Sequence, residues 1–157
     1  MRIAMLSWES LHSIAVGGVA CHVTELAAAL ERKGHEVHVF TRMGPGQSHV
    51  ERIHGVWYHR CPFDLRPNLV DEVQNMCRSF VHHAFACEAY MGAHFDVVHA
   101  HDWLASNAMA WIKQGRGRKT PGGAGKSRAS DLEPAPRSIP WPPSHRAASF
   151  LLEHRPR

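Results

Sequence analysis

Three short stretches of this 157-residue chain hold the residue types best suited to chemistry. The first is Val16-Gly17-Gly18-Val19, which opens a helical pattern. Adjacent glycines let a backbone approach a ligand closely, and free N–H groups at a helix start attract an anion. The pair is not a GxGxxG fingerprint, and a plain tight turn explains it equally well. The second stretch is Asp96-Val97-Val98-His99-Ala100-His101-Asp102-Trp103, a β-like run ending at a strand-to-helix junction. Ligands of open α/β sheets collect at such carboxyl ends. His99 and His101 share one side of the strand. Metal binding needs a third ligand that the spacing does not place, and the HxHxDH pattern of metallohydrolases is not met. The plainer alternative is an N-capping Asp102 beside a hydrogen-bonded histidine. The third stretch, Gly122-Gly123-Ala124-Gly125-Lys126-Ser127, imitates a phosphate loop. Thr120 stands where that pattern needs glycine, and neither the preceding strand nor the following helix is present, so it is rejected.

The elements that must position the first two stretches alternate β-like and helical patterns through residues 1–115, which predicts βαβ units and a parallel sheet. Arg2–Ser7 reads as a strand. Gly18–Lys33 reads as a helix with Val19, Val23, Leu26, Ala27 and Leu30 on one face and Gly34 as its terminator. His35–Thr41 reads as a second strand with Val37 and Val39 on one side. Val50–Arg60 reads as a hairpin turning at His54-Gly55. A helix is expected from Asn68, with Asp71 in a capping arrangement and a stripe of Leu69, Val73, Met76, Cys77, Phe80 and Ala84. Phe95–Ala100 is expected to be a buried strand. Asp102 is expected to cap a last helix with Leu104, Ala108, Trp111 and Ile112 inward.

Composition narrows the function classes. An apolar share of 44% is enough for a core, and the apolar runs are too short and broken for a membrane span. The N-terminus lacks the apolar region of a signal peptide, so a cytoplasmic location is expected. The four cysteines, Cys21, Cys61, Cys77 and Cys87, show no CxxC pair and no ligand-like spacing, and read as reduced, mostly core thiols. The net charge of +4 comes largely from residues beyond 113, so no basic face for nucleic acid is indicated. Residues 120–157 hold seven of the ten prolines and almost no apolar periodicity. Such a segment is expected to be disordered.

The ordered succession Met1–Glu9, Gly17-Gly18 with His22-Val23 and Leu26-Ala27, Leu30–Val37, and Asp96–Trp103 resembles the subfamily-4-like N-terminal domain of GT-B glycosyltransferases, the group of bacterial glycogen synthases and sucrose synthases. The resemblance covers residues 1–119. It implies an incomplete, doubly wound Rossmann-like sheet and a retaining transfer from a nucleotide-diphospho-sugar to a carbohydrate or other acceptor. No metal and no resident cofactor are implied. Gly17 and Gly18 would lie at the cleft near the donor diphosphate, His101 would bond the donor sugar's hydroxyl groups, and Asp102 would hold that loop. The groups that grip the nucleotide belong to a C-terminal domain, so residues 1–119 are expected to be inactive alone. The composition of residues 120–157 resembles an out-of-frame or truncated product. Two rival readings remain at this point: a non-enzymatic Rossmann-like binding module, and a nucleotide-dependent hydrolase, which the failed phosphate loop weakens.

Deleting residues 120–157 should leave the melting temperature and the circular dichroism of the remainder nearly unchanged. Limited proteolysis should cut first after Arg116, Arg118 or Lys119; protection of those bonds would overturn the assigned boundary.

Overall fold

A computed structural model describes residues 1–117. The expected tail and the imitation phosphate loop lie outside the described residues. Met1–Gly115 form one compact unit, and the second, beginning at Arg116, is described only through Gly117. The elements are β1 (Arg2–Ser7), α1 (Gly18–Arg32), β2 (Glu36–Arg42), β3 (Val50–Ile53), β4 (Val56–Cys61), α2 (Leu69–Met91), β5 (Val97–His101), a 3-10 turn (Trp103–Ala105) and α3 (Ser106–Gly117). The five strands form one sheet in the order β3-β4-β2-β1-β5, parallel except for the antiparallel β3–β4 hairpin.

Both faces of this sheet are covered, which is why β1 and β2 are buried almost throughout instead of alternating. Ile3, Met5, Val37, Val39, Val56 and Tyr58 pack on one face against Val23 and Ala27 of α1. Ala4, Leu6, Phe40 and Cys61 pack on the other, with Val73, Met76, Cys77, Phe80 and Ala84 of α2 and with Ala105, Ala108 and Ile112. The sheet is thus doubly wound, as expected. The expected inward face of the last helix holds for Ala108 and Ile112, with Leu104 and Trp111 half-buried against the same core.

Local signals set the boundaries. Gly34 takes φ +82°, its N–H reaching the Glu31 carbonyl at 2.8 Å while His35 reaches that of Leu30 at 3.2 Å, which closes α1 in a Schellman motif. The hairpin turns at His54 (φ 48°) and Gly55 (φ 84°), the paired positive φ of a type I′ turn. Asn68 caps α2, its Oδ1 accepting from the Val70 N–H at 2.8 Å. The carboxylate that reaches back is Glu72, on the Arg66 N–H at 3.2 Å, since helical twist turns that side chain toward the incoming chain.

Three expectations need correction. Leu69 is 55% exposed and its neighbour Val70 54%, so the first turn of α2 is solvated, while the rest of the stripe is buried. Phe95 is buried but precedes its strand, and β5 is a sheet-edge strand with Val97 and His99 exposed. Cys21 is exposed, unlike Cys61 and Cys77.

Phe80→Ala should destabilise the fold by about 3–5 kcal/mol in urea unfolding. Leu69→Ala should stay within about 0.5 kcal/mol, because little packing is lost at an exposed position.

Candidate functional site at the carboxyl edge of β1 and β5

From β1 the chain crosses by α1 to β2 and on outward to β4, then returns by α2 to β5 on the far side of β1. The winding direction reverses between β1 and β5, and a doubly wound sheet leaves a crevice at the carboxyl ends of such a pair. The β1–α1 loop and the β5–α3 junction therefore face one crevice. The register aligns Ser7, the last residue of β1, with His101, the last of β5. Their alignment is anchored at the other end of the strands by the Arg2 N–H on Asp96 Oδ2 at 2.7 Å and the Asp96 N–H on the Arg2 carbonyl at 2.9 Å. Glu88, buried in the last turns of α2, accepts from the Phe95 N–H at 2.9 Å and fixes the approach to β5.

The β1–α1 loop is held by groups from the ends of β2 and β4. Arg42 Nε donates to the Trp8 carbonyl at 2.6 Å, with its guanidinium 4.1 Å over the Trp8 ring. Arg60 Nε donates to the His12 carbonyl at 2.8 Å. The Ser13 and Thr41 hydroxyls share a hydrogen bond of 2.9 Å.

Gly17 is the N-cap of α1 and Gly18 its first residue. A glycine has no side chain with which to cap, and the amides here are served from a distance. Glu9 Oε2 accepts from the N–H groups of Val16 at 2.6 Å and Gly17 at 2.7 Å. Glu9 is only 8% exposed. The expectation of free N–H groups is narrowed: an internal carboxylate holds the amides of Val16 and Gly17, which lead into α1, where it also meets the positive end of the helix dipole.

His101 is 6% exposed, although it lies at the strand end. Its ring centre stands 4.2 Å from that of His99 and 5.6 Å from that of His22, one helical turn beyond Gly18. Its Nε2 is buried without a partner among the described residues, which a native structure rarely leaves unexplained. Burial first, then the neighbouring His99 and His22, pushes its pKa down to about 4, so the ring is neutral near pH 7.

Asp102 adopts φ 68° and ψ 164°, a region held almost entirely by glycine and costing about 1–3 kcal/mol elsewhere. Its Oδ1 accepts from the Trp103 N–H, so it caps the 3-10 turn that leads into α3 and not α3 itself.

The fold thus brings Gly17, Gly18, His101 and Asp102 to one sheet edge, and it adds Glu9 and His22. Glu9 is the lone acid between β1 and α1, and His22 follows Gly18 at helical spacing, so both left a trace in the sequence. Among the described residues, one group of three potential metal donors converges, His38, His59 and Cys87. It lies on β2, β4 and α2, away from this edge.

The sequence profile described as Glycosyltransferase Family 4 matches residues 16–124. The chain belongs to that family. The matched region runs from the helix opened by Gly17-Gly18 through the His101-Asp102 junction, and it ends slightly beyond the residue 119 expected from the motifs. An uncharacterised glycosyltransferase of Methanocaldococcus jannaschii is 35% identical over 117 residues, covering 72% of this chain and 28% of that protein. The D-inositol 3-phosphate glycosyltransferase of Kineococcus radiotolerans is 33% identical over 104 residues, covering 64% of this chain and 24% of that protein. The sucrose-phosphate synthase of Thermosynechococcus elongatus shares the fold, with a TM-score of 0.53 at 23% identity over 72% of this chain and 30% of that one. The family 4 chain therefore spans about a quarter to a third of these relatives. It has the N-terminal GT-B fold that the ordered motifs implied. Among its described residues no helix is long and apolar enough to cross a membrane.

His101 gives this family 4 domain an acid sensitivity. Its folded pKa of about 4 lies below the ordinary 6.5, so the unfolded chain binds the proton more readily. The stability it contributes is complete above about pH 6.5 and is lost as pH falls toward 4. Melting temperatures measured from pH 7.5 to 4.5 should fall, and His101→Gln should flatten that fall by up to one proton's worth of slope.

Proposed function

We propose that this chain forms the sugar-facing wall of the active-site cleft in a retaining, nucleotide-sugar-dependent glycosyltransferase. One observation carries the reading: His101 stands at the β1/β5 reversal beside the helix opened by Gly17-Gly18, with a buried ring nitrogen that no group among the described residues satisfies. A sugar hydroxyl is the kind of group that completes such a site. A neutral imidazole can accept from or donate to a hydroxyl without bringing a full charge, and it does so without reorganising while charge develops in transfer. Asp102 holds the backbone of the junction, so that loss of its cap would let His101 drift. Gly17 and Gly18 keep the opposite wall free of side chains, which lets the donor sugar approach the backbone.

Glu9 refines this picture. A diphosphate placed on the Val16 and Gly17 amides would first have to displace its carboxylate. The phosphates are therefore assigned mainly to cationic groups of a second domain, with this chain addressing the sugar and the acceptor. Residues 1–119 act as part of an N-terminal domain, and the share of its relatives that the chain spans supports its dependence on such a second domain. The carboxylate held on the Val16 and Gly17 amides favours a second reading, a Rossmann-like module that binds an acceptor or partner without catalysis.

The 157-residue chain alone should transfer no sugar from a panel of nucleoside diphosphate sugars. Substituted for the matching segment of the Methanocaldococcus relative, residues 1–117 should support transfer, and His101→Ala should lower turnover by about 10²–10³-fold. Full turnover in that variant would remove His101 from the reaction. Acceptor binding with no transfer in any such chimera would favour the non-catalytic module.

A further inference from the structure

We propose a structural zinc-type metal site at His38, His59 and Cys87, separate from the cleft. The three residues are far apart in sequence and come from β2, β4 and α2, and the fold brings their donor atoms together. His38 Nδ1 lies 2.9 Å from His59 Nε2, and Cys87 Sγ lies 3.6 Å from the first and 3.9 Å from the second. A tetrahedral ion with metal–nitrogen bonds of about 2.0–2.1 Å and a metal–sulfur bond of about 2.3 Å separates nitrogen from nitrogen by about 3.3 Å and nitrogen from sulfur by about 3.6 Å. The observed triangle needs adjustments of only a few tenths of an ångström.

The surroundings of the cluster suit a borderline-soft cation. The two nitrogens and one sulfur form a donor set that selects zinc-like ions over magnesium or calcium. His38 Nε2 also faces Glu36 Oε1 at 3.3 Å, the carboxylate support that orients a metal-bound imidazole and leaves Nδ1 directed at the cluster. Phe40 stacks on His59 at 4.5 Å and Phe95 meets His38 edge-on at 5.1 Å, so aromatic rings hold both imidazoles in place. Cys87 as a whole residue is partly buried while the cluster itself is buried, so the fourth ligand would be a water enclosed with the ion.

Binding replaces the His38–His59 hydrogen bond, shifts the His59 proton to Nδ1, and releases the Cys87 thiol proton to solvent. The ion would tie the last turns of α2 to the sheet. His38 precedes Arg42 by four residues, about 13 Å along an extended strand, so the site is structural and does not reach the crevice. This inference is independent of the transferase reading, and its failure leaves that reading untouched.

The full chain, stripped with a chelator, should take up one equivalent of zinc in competition with a chromophoric chelator, and its melting temperature should rise with zinc concentration. Cobalt(II) should give tetrahedral ligand-field bands and a thiolate charge-transfer band. Cys87→Ser should abolish that charge-transfer band and weaken zinc uptake at least tenfold, while Cys21→Ser, at the exposed thiol, should change neither. His59→Gln, with the fold checked by circular dichroism, should weaken uptake likewise. A band that disappears with Cys21→Ser, uptake that survives both cluster variants, or no stoichiometric uptake would overturn the site and leave a simple hydrogen-bonded histidine pair.

Discussion

The parallel pairing of β1 with a neighbour on each side is the constraint on which the molecule depends. Ile3 aligns with Val37 on one flank and Val97 on the other, and Ser7 closes the second ladder opposite His101. Parallel pairing demands crossover connections, and the two here, α1 from β1 to β2 and α2 from β4 to β5, run over opposite faces. Both faces of the sheet must then be apolar, and the two following loops must emerge together. The core and the crevice are consequences of the same topology. A shift of one residue in the β1–β5 register would turn His101 to the other face and separate it from His22.

A second level of control acts through buried charge. Glu9, Arg42 and Arg60 are all nearly inaccessible, yet each is bonded to backbone in the β1–α1 loop or its surroundings. Burial lowers the pKa of Arg42, while Glu72 and then Glu9 oppose that shift. Such groups do little for stability compared with apolar packing, because desolvation offsets most of their attraction. They impose one loop conformation instead. That conformation decides which amides at the start of α1 are available to a ligand and which are already satisfied.

Much of this was legible in the sequence because it depends on short-range signals. The spacing of Val23 and Ala27, the Gly34 stop, the His54-Gly55 turn and the Asn68 cap each state their own structure locally. The candidate edge was legible too, since glycines after a first strand and His-Asp after a later one meet only if the strands are neighbours. Long-range outcomes were not legible. Whether β5 lies inside the sheet or at its edge depends on strand order, which no residue of β5 encodes. The bond from Glu9 to Gly17 depends on how the intervening loop folds back. The meeting of His38, His59 and Cys87 left no spacing signature at all, since the three residues belong to three elements whose juxtaposition only the sheet creates.

The unequal shielding of the four thiols has a practical consequence. Cys61 and Cys77 are sealed in the core, and burial raises the pKa of both, which makes them slow nucleophiles. Cys21 alone of the four is exposed, and it sits on α1 directly before His22. A maleimide dye under mild conditions would therefore attach there selectively, with no engineered residue. The fluorophore would stand at the rim of the crevice, one residue from a ring that touches His101. Its emission would follow changes at the mouth of the crevice in real time.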